Sequence, residues 1–173
     1  PGHTHITDTF SFSLYYQYIN TAPVALPGRA LGHNCWRPAL EFALGKRLLE
    51  RKDLANVKGE VEARHINAAF TKKDLPLFLH RRIHLNGNYL GLLKSSGVFL
   101  CHGLVKNNSC TNCHHWWAYD GWRRVLFWRD DEVIGVEETD LVSRESAKAV
   151  FESWRCKDMR GVYELMRYSK ACI

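Results

Sequence analysis

The sequence lacks a hydrophobic run long enough to cross a lipid bilayer, and its first residues lack the basic-then-apolar order of a secretory signal. It contains no internal repeat and no low-complexity tract. Six cysteines are too few in 173 residues for a disulfide scaffold, which is usually shorter and denser in cysteine. We therefore expect a reducing compartment, in which a cysteine is more often a reactive thiol or a metal ligand than half of a bridge.

The composition is that of a folded domain with a moderate excess of positive charge. Hydrophobic residues make up 46% of the sequence, which excludes a disordered chain, and the length suits one domain with its own core. The formal net charge of +6 is compatible with an RNA or an acidic partner. Charge alone favours a simpler explanation, a solvated surface with surplus lysine and arginine.

Helices are predicted to follow the first 34 residues. Leucines recur at helical spacing after Cys35, and a second helix is expected over about 59–70. A third, short helix is expected to begin after Asp74, which suits an N-cap, and to stop at the turn Asn86–Gly87.

Strands are predicted to dominate the later part of the chain. Ser143 is expected to cap a last helix that carries apolar residues up to Trp154. Alternating apolar residues, with a turn at Asp120–Gly121, predict four strands before that helix: Val98–Leu100, His115–Tyr119, Trp122–Trp128 and Val133–Val136.

Helices followed by sheet indicate an α+β fold class. We expect a single domain over residues 1–173, in four parts: an N-terminal extended segment (1–34) with a strand pattern at Phe10–Leu14, a helical subdomain (35–90), a β subdomain (91–140) and a C-terminal extension (141–173).

Cys35 is the candidate nucleophile. It follows a glycine-containing loop and opens a predicted helix, where unpaired N–H groups and the helix dipole favour the thiolate. Asn34 or backbone donors of the preceding loop would stabilise an oxyanion. The competing interpretation is a buried cysteine packed as a small hydrophobic residue, which is the commoner role of a cysteine.

A candidate base lies in the segment Cys113–Trp116, which contains His114 and His115. A nucleophile on an early helix and a histidine on a later sheet is the papain-like arrangement, in which the two meet in space. Asp130 lies at the far end of the returning strand, where it could orient the imidazole. Alternatively, the two histidines belong to an aromatic surface hairpin.

A zinc site is the third candidate feature. Cys110 and Cys113 form a Cys-x-x-Cys knuckle, and Cys101 lies nearby in sequence, with His102 or His114 as a further ligand. The same segment matches the short haem-attachment pattern Cys-x-x-Cys-His, which nothing else in the sequence supports.

The basic segment His80–His84 is the fourth candidate feature. If Leu75, Leu79 and Ile83 face the core, the basic side chains project outward together and can contact phosphates. A solvated helix face explains the charge equally simply. The candidate contacts to RNA or a partner are His80, Arg81, Arg82 and His84.

Four stretches of this chain resemble the papain-like protease domain of arterivirus non-structural protein one, and its beta subunit in particular. They are Tyr16–Tyr18, Asn34–Trp36, Arg64–Asn67 and Leu79–Gly87, and their order and spacing agree from about residue 10 to about 120. The last stretch, the basic segment, is the most specific match.

The resemblance implies a papain-like cysteine endopeptidase that releases its own C-terminus from a viral polyprotein in cis. Because relatives carry an apolar strand residue after the catalytic histidine, it favours His115 over His114 as the base. Catalysis would require no cofactor. Relatives then act in the host cytoplasm and nucleus against interferon responses, and their basic helix stimulates ribosomal frameshifting.

The partners expected from this resemblance are the polyprotein as substrate, viral RNA, a host poly(C)-binding protein and a second copy of the chain, with no membrane. The alternative is a binding module: an inactive papain-like fold, or a zinc-stabilised RNA- or protein-binding domain acting through Arg81 and Arg82.

Overall fold

A computed structural model describes residues 4–6, 35–106, 113–128 and 132–170. Its four α-helices are α1 (Trp36–Leu44), α2 (Ala63–Lys72), α3 (Tyr89–Lys94) and α4 (Arg144–Ser153). Short 3₁₀ turns occur at Arg51–Leu54, Ile83–Leu85 and Glu138–Leu141. None of these helices has the length and apolar composition that a bilayer span requires.

Seven strands form the described sheet, and every pairing in it is antiparallel. Six of them follow the spatial order β1-β7-β3-β4-β5-β6, and β2 also pairs with β7. The strands are β1 (Thr4–Ile6), β2 (Leu77–Arg81), β3 (Val98–Val105), β4 (Cys113–Asp120), β5 (Val125–Phe127), β6 (Val133–Gly135) and β7 (Cys156–Lys170). Helices combined with an antiparallel sheet confirm the predicted α+β class.

The sheet separates two hydrophobic cores, because successive side chains of a strand point to opposite faces. In β4, Trp116 and Ala118 belong to one core, and Trp117 and Tyr119 belong to the other. The first, which we call the Cys35 core, is closed by α1 and α2. The second, which we call the Trp117 core, is closed by α3 and α4.

Strand β3 approaches β7 very closely at Gly103. The β3–β7 register shifts between His102 and Gly103, which marks a bulge or irregularity. A Cβ atom at Gly103 would lie 2.0 Å from the carbonyl oxygen of Asp158, so only glycine fits there.

The segment after Asp74 is not the predicted helix. Residues 77–81 form β2, whose five residues pair with Arg167–Tyr163 of β7, and a 3₁₀ turn follows. Leu79 is buried as expected, but Ile83 is 71% exposed. The i, i+4 spacing of the leucines suggested a helix, and backbone pairing with a distant strand overrode it.

Strand β7 also differs from the prediction, which placed a helix near the C-terminus and no strand after it. Helix α4 does form, with the Ser143 side chain accepting a hydrogen bond from the Ser146 N–H. The chain then enters a 15-residue strand that pairs with β1, β2 and β3. The 35–90 segment is therefore joined to the sheet through β2, and the predicted strand at Phe10–Leu14 lies outside the described residues.

Candidate active site

Cys35 lies at the start of α1 as its N-cap residue, with 6% of its surface exposed. The backbone N–H of Trp116 in β4 donates a hydrogen bond to Cys35 Sγ over 3.3 Å. The first turn of α1 thus touches the strand that carries both candidate histidines, across 81 residues of sequence.

Burial dominates the protonation of the Cys35 thiol. It raises the pKa of Cys35 to about 11, and the nearby Glu60 carboxylate adds to the rise. Hydrogen bonds from the backbone N–H groups of Trp116, Cys35 and Trp36 lower the pKa but do not compensate for the lost solvent. The expectation that the helix start favours a thiolate is therefore wrong in direction.

His114 and His115 point to opposite faces of the sheet. His114 lines the same pocket as Cys35. His115 stacks on Trp117 and contacts Trp128 edge-on in the Trp117 core, and its Nε2 lies 2.6 Å from the Trp128 carbonyl oxygen. The structure therefore places His114, and not the predicted base His115, in the pocket of Cys35, because the His115 ring packs into the core on the opposite face of the sheet.

Glu60 is the acidic partner of His114. It precedes α2, and its Oε1 lies 2.6 Å from His114 Nδ1. The carboxylate thus lies against the Nδ1 side of the imidazole, which leaves Nε2 as the ring nitrogen turned away from Glu60. Glu60 therefore lies at a position from which it can orient His114, a role predicted for Asp130, which lies outside the described residues.

His102 in β3 lies beside this pair. Its ring stacks on Trp116 with centroids 4.7 Å apart and on His114 at 5.5 Å, and its Nε2 lies 3.6 Å from Glu60 Oε1. Burial lowers the pKa of His102 to about 4, helped by the neighbouring His114, so its imidazole is neutral at physiological pH.

Together these side chains line a pocket of about 210 Å³ at the edge of the Cys35 core. Its lining combines a thiol, two imidazoles and a carboxylate with apolar walls, and consists of Cys35, Glu60, Val61, His102, Cys113, His114 and Trp116. A nucleophile, a base and a group that orients the base are the components of acyl-transfer catalysis.

The predicted cysteine ligands of zinc do not converge on one point. Cys101 is fully buried in the Trp117 core, and it pairs with Trp117, whereas Cys113 pairs with Val105. Four residues of strand separate the two positions, which is about 13 Å. Cys113 is also disulfide-bonded, so its thiolate is not available to a metal.

Three other predicted site residues, Asn34, Cys110 and Asp130, lie outside the described residues. Glu60 was missed, and no sequence signal marks it: it is an ordinary acidic residue in a turn, and only the packing of that turn against β4 brings it to His114.

The basic residues predicted to form one surface differ in their exposure. Arg81 and His84 are exposed and His80 is half-buried. Arg82 instead pairs with Glu164 on β7, its guanidinium nitrogen 2.9 Å from the carboxylate of that buried residue. Arg81 and His84 are thus the members best placed for an external ligand.

Fold and site together define an α+β protein in which a buried cysteine and a histidine–glutamate pair line the same pocket. No protein-family model, no curated protein and no solved structure matches the chain.

Proposed function

We propose that this chain is a papain-like cysteine endopeptidase that cleaves the viral polyprotein of which it is part. Cys35 is the nucleophile, His114 the general base and Glu60 the residue that orients His114. The observation that supports the proposal is that Cys35 and His114 line one pocket, with Glu60 Oε1 2.6 Å from His114 Nδ1.

In the first half of the reaction, His114 Nε2 takes the Cys35 proton while Sγ attacks the scissile carbonyl carbon. The resulting oxyanion can be stabilised by N–H groups at the start of α1. The C–N bond then breaks, and the leaving amine takes the proton back from His114, which leaves a thioester on Cys35.

In the second half, water attacks the thioester carbonyl as His114 accepts one of its protons. The C–S bond breaks, the proton returns to Cys35, and the free carboxylic acid departs. Because burial raises the pKa of Cys35 to about 11, the resting thiol is neutral and its proton moves during the attack.

The resemblance to the arterivirus proteins supports the wider role: self-cleavage in cis, then action against host responses in cytoplasm and nucleus. Contacts of the exposed Arg81 and His84 with RNA or a poly(C)-binding protein belong to the same proposal. Their support is the motif match and the exposure of these two side chains.

The competing proposal is a binding module with an inactive papain-like fold. One observation favours it: Cys35 is 6% exposed, which is typical of a structural cysteine. Cleavage separates the two, because a binding module leaves an attached substrate segment intact.

The test is expression of the chain with the downstream residues of its parent polyprotein attached. We expect the wild-type protein to separate from the attached segment and Cys35→Ala to leave it joined. Cys156→Ala is the matched control, since Cys156 is also a buried free thiol but belongs to the Trp117 core. Cleavage by folded Cys35→Ala, or no cleavage by the wild type, would contradict the proposal.

A further inference from the structure

Three side chains of the pocket direct ligand atoms toward one point. One atom each from Glu60, His102 and His114 lies within 4.8 Å of the other two. Glu60 Oε1 is central, at 2.6 Å from His114 Nδ1 and 3.6 Å from His102 Nε2. The three residues come from the turn before α2, from β3 and from β4, so tertiary packing alone assembles them.

The His102 imidazole has a ring nitrogen that is free to bind a ligand. Its Nε2 is buried and makes no hydrogen bond within the described part of the chain. A buried polar atom in that condition costs free energy, and a bound ion would remove the cost. The stacked ring of the buried Trp116 fixes the orientation of the imidazole, which limits the entropy lost on binding.

Two imidazoles and one carboxylate are the donor set of a transition-metal ion, since Ca²⁺ and Mg²⁺ prefer oxygen ligands alone. In a tetrahedral zinc site with bonds of about 2.0–2.1 Å, neighbouring ligand atoms lie about 3.3 Å apart. The His102–Glu60 pair is near this spacing at 3.6 Å. The Glu60–His114 pair must open, and His114, 41% exposed, has room to turn.

We infer that Glu60, His102 and His114 bind one divalent transition-metal ion such as Zn²⁺, and that the ion switches off the thiol chemistry of the pocket. Metal binding follows from the cluster itself, whereas the inhibitory effect rests on the proposed function. The fourth coordination position remains for water or another ligand.

Inhibition follows from the proton positions of one imidazole. In the proposed reaction, Nε2 of His114 accepts the proton of Cys35 while Nδ1 lies against Glu60. When a metal occupies the Nδ1 lone pair, the neutral ring must carry its proton on Nε2, which then donates and cannot act as the base. The metal also takes Glu60 away from its orienting role.

Equilibrium dialysis of the full chain against ZnCl₂ tests binding without reference to activity. We expect wild-type protein to bind one more Zn²⁺ than His102→Ala and Glu60→Gln, or to bind it at least about tenfold more tightly. His84→Ala removes an exposed histidine outside the pocket and should bind like the wild type. Cysteines elsewhere are common to all four proteins, so the difference isolates the pocket.

The result that overturns the site is equal zinc binding by the wild type and by either pocket variant. Glu60→Gln keeps the inference falsifiable if His102→Ala fails to fold, since Glu60 lies in a partly exposed turn. Thermal unfolding of each variant identifies such a failure.

Zinc titration of the cleavage reaction tests the inhibitory effect. We expect zinc to lower wild-type cleavage at least about tenfold and to have little effect on whatever activity His102→Ala retains. Equal inhibition of both would mean that zinc bridges Cys35 and His114, which overturns the proposed mode. Zinc binding by a wild-type protein that does not cleave would refute the proposed endopeptidase and support the metal site. Cleavage by a wild-type protein that does not bind zinc would refute the metal site and support the endopeptidase.

Discussion

The two faces of the sheet hold the same kinds of side chain and use them differently. On the Cys35 face, His114 meets a carboxylate at an open pocket. On the Trp117 face, His115 packs among tryptophans, with its Nε2 beside the Trp128 carbonyl oxygen. Two neighbouring residues in sequence therefore have unrelated surroundings.

The difference shows that position within a strand decides which histidine lies at the pocket and which lies in the core. A side chain with a charged partner at a pocket can exchange protons with a ligand, whereas one packed among aromatic rings contributes to stability. The contrast predicts loss of activity without unfolding on one face and loss of stability on the other.

The largest effect is expected when each of the two histidines is replaced by alanine in a separate variant. His114→Ala should lower cleavage by about 10²–10⁴-fold, because it removes the proposed general base. His115→Ala should leave cleavage per folded molecule largely intact. Rates normalised to the folded fraction provide the measurement, and the opposite ranking would return the catalytic role to His115.

The next effect concerns the Trp117 core. Trp117 is fully buried, and Trp117→Ala should lower the free energy of unfolding by about 3–5 kcal/mol through the cavity it leaves. Trp122→Ala, at a position 43% exposed in the following turn, should cost far less. Denaturant titrations compare the two variants, and equal losses would mean that this face is not a packed core.

A smaller effect distinguishes two adjacent arginines. Arg82→Ala leaves the buried Glu164 carboxylate without its ion-pair partner and should cost about 1–3 kcal/mol of stability. Arg81→Ala, at an exposed position, should change stability by at most about 0.5 kcal/mol. Arg81→Ala alone is thus the cleaner test of RNA binding, measured at matched salt, and unchanged binding would leave Arg81 without that role.

The smallest effect concerns Asp120, at the other end of β4 from His114. Burial raises its pKa above the ordinary value of 3.8, although N–H groups of Arg123 and Trp122 lower it. The folded state therefore favours the neutral carboxyl. This stabilisation is complete below pH 3.8 and is lost as the pH rises through the folded-state pKa.

Asp120→Asn keeps an oxygen to accept those two hydrogen bonds and removes the charge. Its stability should match that of the wild type below pH 3.8 and exceed it above, by on the order of 1 kcal/mol. Denaturation at several pH values gives the difference, and a gap independent of pH would show that the buried charge is not its cause.

Elements with strong local signals were predicted well. Apolar residues at helical spacing placed α1 and α2, and Ser143 marked the start of α4, because capping and amphipathic periodicity depend on a few neighbouring residues. The β4–β5 turn at Asp120–Gly121 was also found, although β5 begins only at Val125.

Elements defined by distant partners were not predicted. Strand β2 has leucines at a spacing that also suits a helix, and its pairing with β7 decides the matter. Strand β7 mixes charged and apolar residues and has an irregular register with β3, so its alternation is weak in the sequence. Its three partners lie far from it along the chain, which no local pattern shows.

The sequence by itself determined the mixed fold class, Cys35 at a helix start and a histidine pair on a later strand, since these depend on periodicity and end signals. Tertiary structure alone decided the rest of the site: which histidine shares a pocket with Cys35, that Glu60 lies beside that histidine, and that His102 joins them. It also reversed the expected pKa shift of Cys35, because burial depends on packing from all sides and the helix dipole acts only locally.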